Sequence, residues 1–256
     1  MGENTVKAKL NDIELYYEIH GKGDPIIFIH GWADDCSVWN HYIESFARKY
    51  KVIVYDHRGH GRSDKPEGNY SIKTLANDLY ALTRKLDLGK VTLVGHSMGG
   101  MTALVFALDY PNELSKLVLV GTLAKMPVSN RIFGIMRYII PYKTFIRLAV
   151  KSGYYEPSEQ LIKRSMDMAM NMSKYAAYES LKEMTQHYDI RREVSNIEVP
   201  TLIIVGEKDK MATQTLTQYL NKEIKGSTLR VIANSGHAVM IEKPSEFSQA
   251  LEKFIG

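Results

Sequence analysis

Ser97 stands between Gly95 and Gly99 in the run VTLVGHSMGG, where an apolar segment passes into a helix-forming one. A serine at the tip of a sharp strand-to-helix turn lifts its hydroxyl out of a sheet, and small neighbours keep the tight backbone clear. That hydroxyl is a weak nucleophile near neutral pH, so it needs a base, and the base needs an orienting acid. Two later stretches carry candidates. Asp209 lies in VGEKDK and His237 in NSGHAVMIEKP, each just past an apolar run. Taken in chain order these are the parts of an acyl-transfer triad: Ser97 the nucleophile, Asp209 the acid, His237 the base. Glu207 is a rival acid that lies closer to its strand and has less reach. An oxyanion would also need two N–H donors. The Met98 N–H opens the helix, where the dipole favours negative charge. The Trp32 N–H, in the loop HGWADD, follows Gly31, whose small size lets the backbone approach a substrate.

For these groups to meet, the runs before them must be neighbouring strands ending on one side. Strand composition is found at 13–19, 25–30, 51–56, 91–95, 114–121, 200–206 and 227–233. Helical patterns over 38–49, 71–87, 98–109 and 244–255 alternate with them. Such alternation implies right-handed crossovers and an α/β class: a mostly parallel sheet flanked by helices. Ser97, Asp209 and His237 then all emerge at C-terminal strand ends, where open α/β sheets bind ligands.

The rhythm breaks after Gly121. Helices are expected over 132–140, 143–151, 157–172 and 173–186. The chain therefore divides into a core domain, 1–121 with 199–256, and a helical cap, 122–198, inserted over Ser97. Apolar side chains of 132–140 and 161–172 are expected to face the pocket. Residues 122–200 hold twelve Lys or Arg against eight Asp or Glu, so the whole net charge of +4 sits in that insertion.

HGW (30–32), DHRGHGRS (56–63), GHSMGG (95–100), GEKD (206–209) and SGH (235–237) occur in the order found in the α/β-hydrolase family. The chain resembles that family over nearly its whole length outside 122–190, where members carry a variable cap. The elbow is most similar to those of carboxylesterases, enol-lactonases and cofactor-free haloperoxidases. The resemblance implies Ser97, Asp209 and His237 as the triad, with Trp32 and Met98 lining the oxyanion hole. Epoxide hydrolases and haloalkane dehalogenases carry aspartate at the elbow, and Ser97 argues against both. Some relatives place the acid after the strand that ends here at Gly121, but Thr122 and Leu123 cannot serve. The expected function is hydrolysis of short- to medium-chain carboxylic esters through an acyl-enzyme. The same triad would serve a lactonase, a C–C bond hydrolase or a low-turnover ligand sensor.

Composition bounds the rest. A chain of 256 residues with 45% hydrophobic content can bury a large core. A charge of +4 without a long basic run gives no reason to expect nucleic acid. The opening residues lack an apolar signal region, and no stretch approaches 18 uninterrupted apolar residues, so no membrane partner is expected. The single cysteine, Cys36, fits a reducing compartment and a cytoplasmic protein. His57 and His60 in HRGH are too few for a metal site. No metal or cofactor is expected, and the partner is a small-molecule ester met by a monomer or homodimer.

Overall fold

Strands that are apolar along their whole length must be covered on both faces, and that requirement organises the molecule. In a computed structural model, which describes residues 4–127 and 140–256, eight strands form one sheet. They are β1 (Asn4–Leu10), β2 (Ile13–His20), β3 (Pro25–Ile29), β4 (Lys51–Tyr55), β5 (Val91–His96), β6 (Leu114–Val120), β7 (Thr201–Gly206) and β8 (Thr228–Ile232). Their order is β1-β2-β4-β3-β5-β6-β7-β8. β2 is antiparallel to β1 and β4, and every pair from β4 to β8 is parallel. β5 lies centrally, with Gly95 opposite Ile29 on one side and His96 opposite Val120 on the other.

Alternate side chains reach opposite faces. Ile27, Ile53, Leu93, Leu117 and Ile203 pack on one face with α2 (Ile72–Lys85) and α3 (Met98–Asp109). Ile26, Phe28, Val54, Val118 and Ile204 meet α1 (Asn40–Phe46) and a C-terminal helix, Pro244–Ile255, on the other. On α2 the buried Ile72, Leu75, Ala76, Leu79 and Leu82 form one stripe, and Ser71 caps the helix by accepting from the Thr74 N–H at 3.1 Å.

Three helices are described between β6 and β7: α4 (Tyr142–Ser152), α5 (Glu159–Met170) and α6 (Lys174–Gln186). The helix expected over 132–140 falls, but for Ile140, outside the described residues. After β7 come α7 (Gln214–Glu223), α8 (Val239–Glu242) and α9, the Pro244–Ile255 helix. β1 and α7 are absent from the sequence expectation. β1 buries only Ala8 and Leu10 among its described side chains, and α7 only Thr217 and Leu220, so neither has an apolar pattern strong enough to read. Among the described residues no helix is long and apolar enough to cross a membrane.

Candidate active site

Ser97 follows directly on β5 and caps the start of α3 with φ +50° and ψ −115°. A non-glycine residue at positive φ is strained and persists only where its surroundings enforce it. Those surroundings are visible. The Ser97 N–H donates to the Val120 carbonyl at 2.8 Å, holding the turn to β6, while the Ser97 carbonyl accepts from Met101 N–H at 3.0 Å and Thr122 Oγ1 at 2.8 Å. A Cβ on Gly95 would lie 2.4 Å from the Gly99 carbonyl oxygen, and one on Gly99 would lie 2.5 Å from those of Ile29 and His30. Both positions must be glycine for the helix to close onto the strand. The half-buried Ser97 thereby faces a cavity.

Asp209 and His237 lie on the loops after β7 and β8, and the sheet order makes those loops neighbours. His237 Nδ1–H donates to Asp209 Oδ2 at 2.8 Å. Asp209 Oδ1 accepts from the backbone N–H groups of Met211 at 2.7 Å and Ala212 at 2.8 Å. Burial pushes the Asp209 carboxyl upward, but the His237 ring and these donors more than offset it and hold its pKa below the usual value. Glu207 is turned away: its carboxylate accepts from the Asn234 N–H at 3.2 Å and is exposed. Glu242, which sequence reasoning missed, fixes the histidine loop. One oxygen accepts from the Gly236 N–H at 2.6 Å, the other from the Tyr155 N–H at 2.8 Å beyond α4.

Met98 begins α3, so its N–H is among the first four of the helix, which have no intrahelical acceptor. Trp32 lies in the loop after β3, with Gly31 against the His96 ring; a Cβ there would meet His96 Nδ1 at 2.8 Å. The Trp32 indole N–H donates to Ala177 O at 3.2 Å and Ser180 Oγ at 3.1 Å on α6, so its side chain ties this loop to the helices above.

Ser97, His237 and Trp32 line one cavity of about 410 Å³. Its apolar wall comes chiefly from α4 (Phe145, Leu148, Val150) and α6 (Leu181, Met184). This corrects the expectation for 161–172: of that segment only Ser165 reaches the cavity, because Ile162, Met166, Ala169 and Met172 turn into the core. The 132–139 part of the expectation lies outside the described residues.

The HRGH loop is structural. Asp56 accepts from the Cys36 N–H at 2.7 Å and the Arg62 N–H at 2.8 Å, and Arg58 grips buried Asp78 with two bonds of 2.6 and 2.8 Å. Cys36 is itself buried, and burial pushes its thiol far above the ordinary pKa. His57 and His60 gather with His30, whose Nδ1–H donates to Gly31 O and whose Nε2 accepts from the His57 N–H. Both His30 nitrogens are engaged, and among the described residues no group of three donors could hold a metal.

Burial, then the neighbouring rings, drives His57 well below its ordinary pKa and His60 down to about 3. Unfolded, each takes a proton as pH falls through about 6.5; folded, it stays neutral much lower. The denatured chain therefore binds more protons in that window, and stability falls as pH drops. Tm should decline from pH 6.5 toward pH 4, ahead of the carboxylates, and His60→Gln should flatten the slope. A Tm constant over that range would show that these rings do not titrate on unfolding.

A strained serine facing a cavity beside a buried Asp–His pair, at the C-terminal edge of a mostly parallel sheet, has the layout of an α/β hydrolase. A family model described as alpha/beta hydrolase fold matches residues 24–146. The 3-oxoadipate enol-lactonase 2 of Acinetobacter baylyi is 30% identical over 260 residues, covering 98% of this chain and 95% of that protein. Among solved structures, Est816, described as an N-acyl homoserine lactone degrading enzyme, is 30% identical with a TM-score of 0.90, covering 98% of this chain and 100% of that one. An esterase from Exiguobacterium antarcticum is 25% identical with a TM-score of 0.89, covering 98% of each chain. The chain belongs to the α/β-hydrolase family, in the branch that includes the enol-lactonases.

Proposed function

We propose that this chain is a serine hydrolase that cleaves carboxylic esters of short to medium acyl chains through an acyl-enzyme on Ser97. The observation that carries this reading is the 2.8 Å bond from His237 Nδ1 to Asp209, with His237 and Ser97 on the wall of one cavity. Because Nδ1 is committed to Asp209, Nε2 is the ring nitrogen available as base. Ser97 Oγ attacks the ester carbonyl as its proton passes to His237 Nε2. The Trp32 and Met98 N–H groups stabilise the oxyanion. Collapse expels the alcohol, which takes the proton from His237. Water, deprotonated by the same nitrogen, attacks the acyl carbonyl; the C–Oγ bond breaks to release the acid, and His237 Nε2 returns the proton to Ser97 Oγ.

In this reading the helices of 122–198 act as a cap that sets pocket shape over the core formed by 1–121 and 199–256. Phe145, Leu148, Val150, Leu181 and Met184 give an apolar wall, and about 410 Å³ is at the small end for ligand pockets. Burying an acyl methylene there gains ~0.8 kcal/mol, roughly fourfold in kcat/KM. On a series of nitrophenyl esters, kcat/KM should climb from acetyl to butyryl or hexanoyl and then stop, leaving long-chain triglycerides poor substrates. A flat or falling profile would sink the linear-ester reading. A lactone substrate is the second reading, supported by the enol-lactonase and lactone-degrading relatives; a matched lactone outpacing its open ester would favour it.

A further inference from the structure

The cavity wall holds two hydrogen-bond acceptors that face each other. His96 must carry its proton on Nε2, because that nitrogen lies 3.2 Å from the His237 carbonyl oxygen, which can only accept. Burial lowers this ring's pKa and outweighs Asp34, which raises it; in the neutral ring with its proton on Nε2, Nδ1 is a lone-pair acceptor. Nδ1 is buried, has no partner within hydrogen-bond distance among the described residues, and lies 3.6 Å from Asp34 Oδ2. An ionised carboxylate is also acceptor-only. Neighbouring Asp35 accepts from both the N–H and the hydroxyl of Ser37, whereas Asp34 meets the lone pair of His96.

Asp34 is also the one residue of fixed formal charge among the described residues that line the cavity; no Lys or Arg accompanies it. Its side chain is only 17% exposed. A carboxylate set into a largely apolar wall is costly unless a donor meets it. Its place indicates where that donor would come from. Asp34 lies two residues beyond Trp32 on the same loop, and His96 directly precedes Ser97. Asp34 and His96 therefore stand on the loop that carries Trp32 and at the strand end that leads into Ser97, and they line the same cavity as Ser97.

We propose that Asp34, positioned by His96, accepts a hydrogen bond from an O–H, N–H or ammonium group that the substrate carries close to its scissile carbonyl. The substrate class is then hydroxyacyl or aminoacyl esters or lactones, beyond plain fatty acyl esters. This rests on the ester-hydrolase reading above, and its test separates the two.

The probes are ethyl butyrate, both enantiomers of ethyl 3-hydroxybutyrate, and both of ethyl 3-aminobutyrate, followed by acid release. In the wild type the best donor ester should exceed ethyl butyrate in kcat/KM by about tenfold or more, the value of a hydrogen bond to a charged group. In Asp34→Leu that ratio should fall close to one, while Asp34→Asn, which keeps an acceptor oxygen, should retain part of it. Asp34→Ala replaces the leucine variant if leucine prevents folding. Each ratio is taken within one variant, so a general loss of activity cancels. A preference for the amino ester that fades with salt identifies a cation as the partner, and a salt-independent preference for the hydroxy ester identifies a neutral donor. Equal rates for all three ester types in the wild type, or a ratio unchanged in Asp34→Leu, overturns the proposal and leaves the ester reading intact. Absence of any ester turnover overturns that reading instead. Calorimetric binding of the same esters to Ser97→Ala and to Ser97→Ala/Asp34→Leu then decides recognition without turnover, with the same change in ratio expected.

Discussion

Ser97→Ala should abolish ester hydrolysis, lowering kcat on the order of 10⁶-fold, and His237→Ala should do the same. The double variant should add little, because nucleophile and base act as one unit. The alanine variant is a clean test. Ser97 already carries a Cβ at φ +50°, so alanine adds no new backbone strain, and the Ser97 backbone bonds to Val120, Met101 and Thr122 survive. Its Tm and circular dichroism should match the wild type. If Ser97→Ala kept more than about a hundredth of the wild-type rate, the nucleophile assignment would be wrong.

Asp209→Asn should lower kcat by roughly 10⁴-fold. The cause can be traced atom by atom. Oδ1 is held by two backbone donors, Met211 and Ala212. In the asparagine variant the amide oxygen keeps that place, which turns the NH₂ toward His237 Nδ1. Nδ1 must then accept, its proton moves to Nε2, and the nitrogen that should take the serine proton is already occupied. Glu207→Gln should cost far less, since Glu207 meets the Asn234 N–H rather than His237. The reverse ranking of these two variants in kcat would move the acid role to Glu207.

The strands of the sheet core were legible because each is apolar throughout and bounded by turn residues. Ser97, Asp209 and His237 stood out as candidates because each stands just beyond such a strand, and a parallel sheet brings those ends together. The cavity wall was not. Helical periodicity gives each helix an apolar face but says nothing of what that face meets. Ile162 and Met166 on α5 satisfy the core, and α4 and α6 supply the wall instead. Glu242 escaped notice because its role depends on the turn at Ala238, which folds the chain back so that one carboxylate reaches Gly236 and Tyr155. Asp34 escaped for a related reason: in HGWADD two adjacent aspartates look alike, yet only the second caps the turn at Cys36–Trp39.

His237 hangs from β8, which among the described residues pairs only with β7 and has one buried residue, Ile232. Edge elements with few buried contacts open locally at a lower free energy than a sheet's centre. Ser97, by contrast, is anchored between β3 and β6 in the middle of the sheet. The proposed nucleophile and base thus rest on supports of unequal strength, joined across 141 residues of sequence by the His96–His237 contact. In urea, catalysis should fade at a lower concentration than the far-ultraviolet signal of the helices, as the margin of the sheet frays while its interior holds. Turnover is then a more sensitive gauge of this fold's integrity than any measure of its secondary structure.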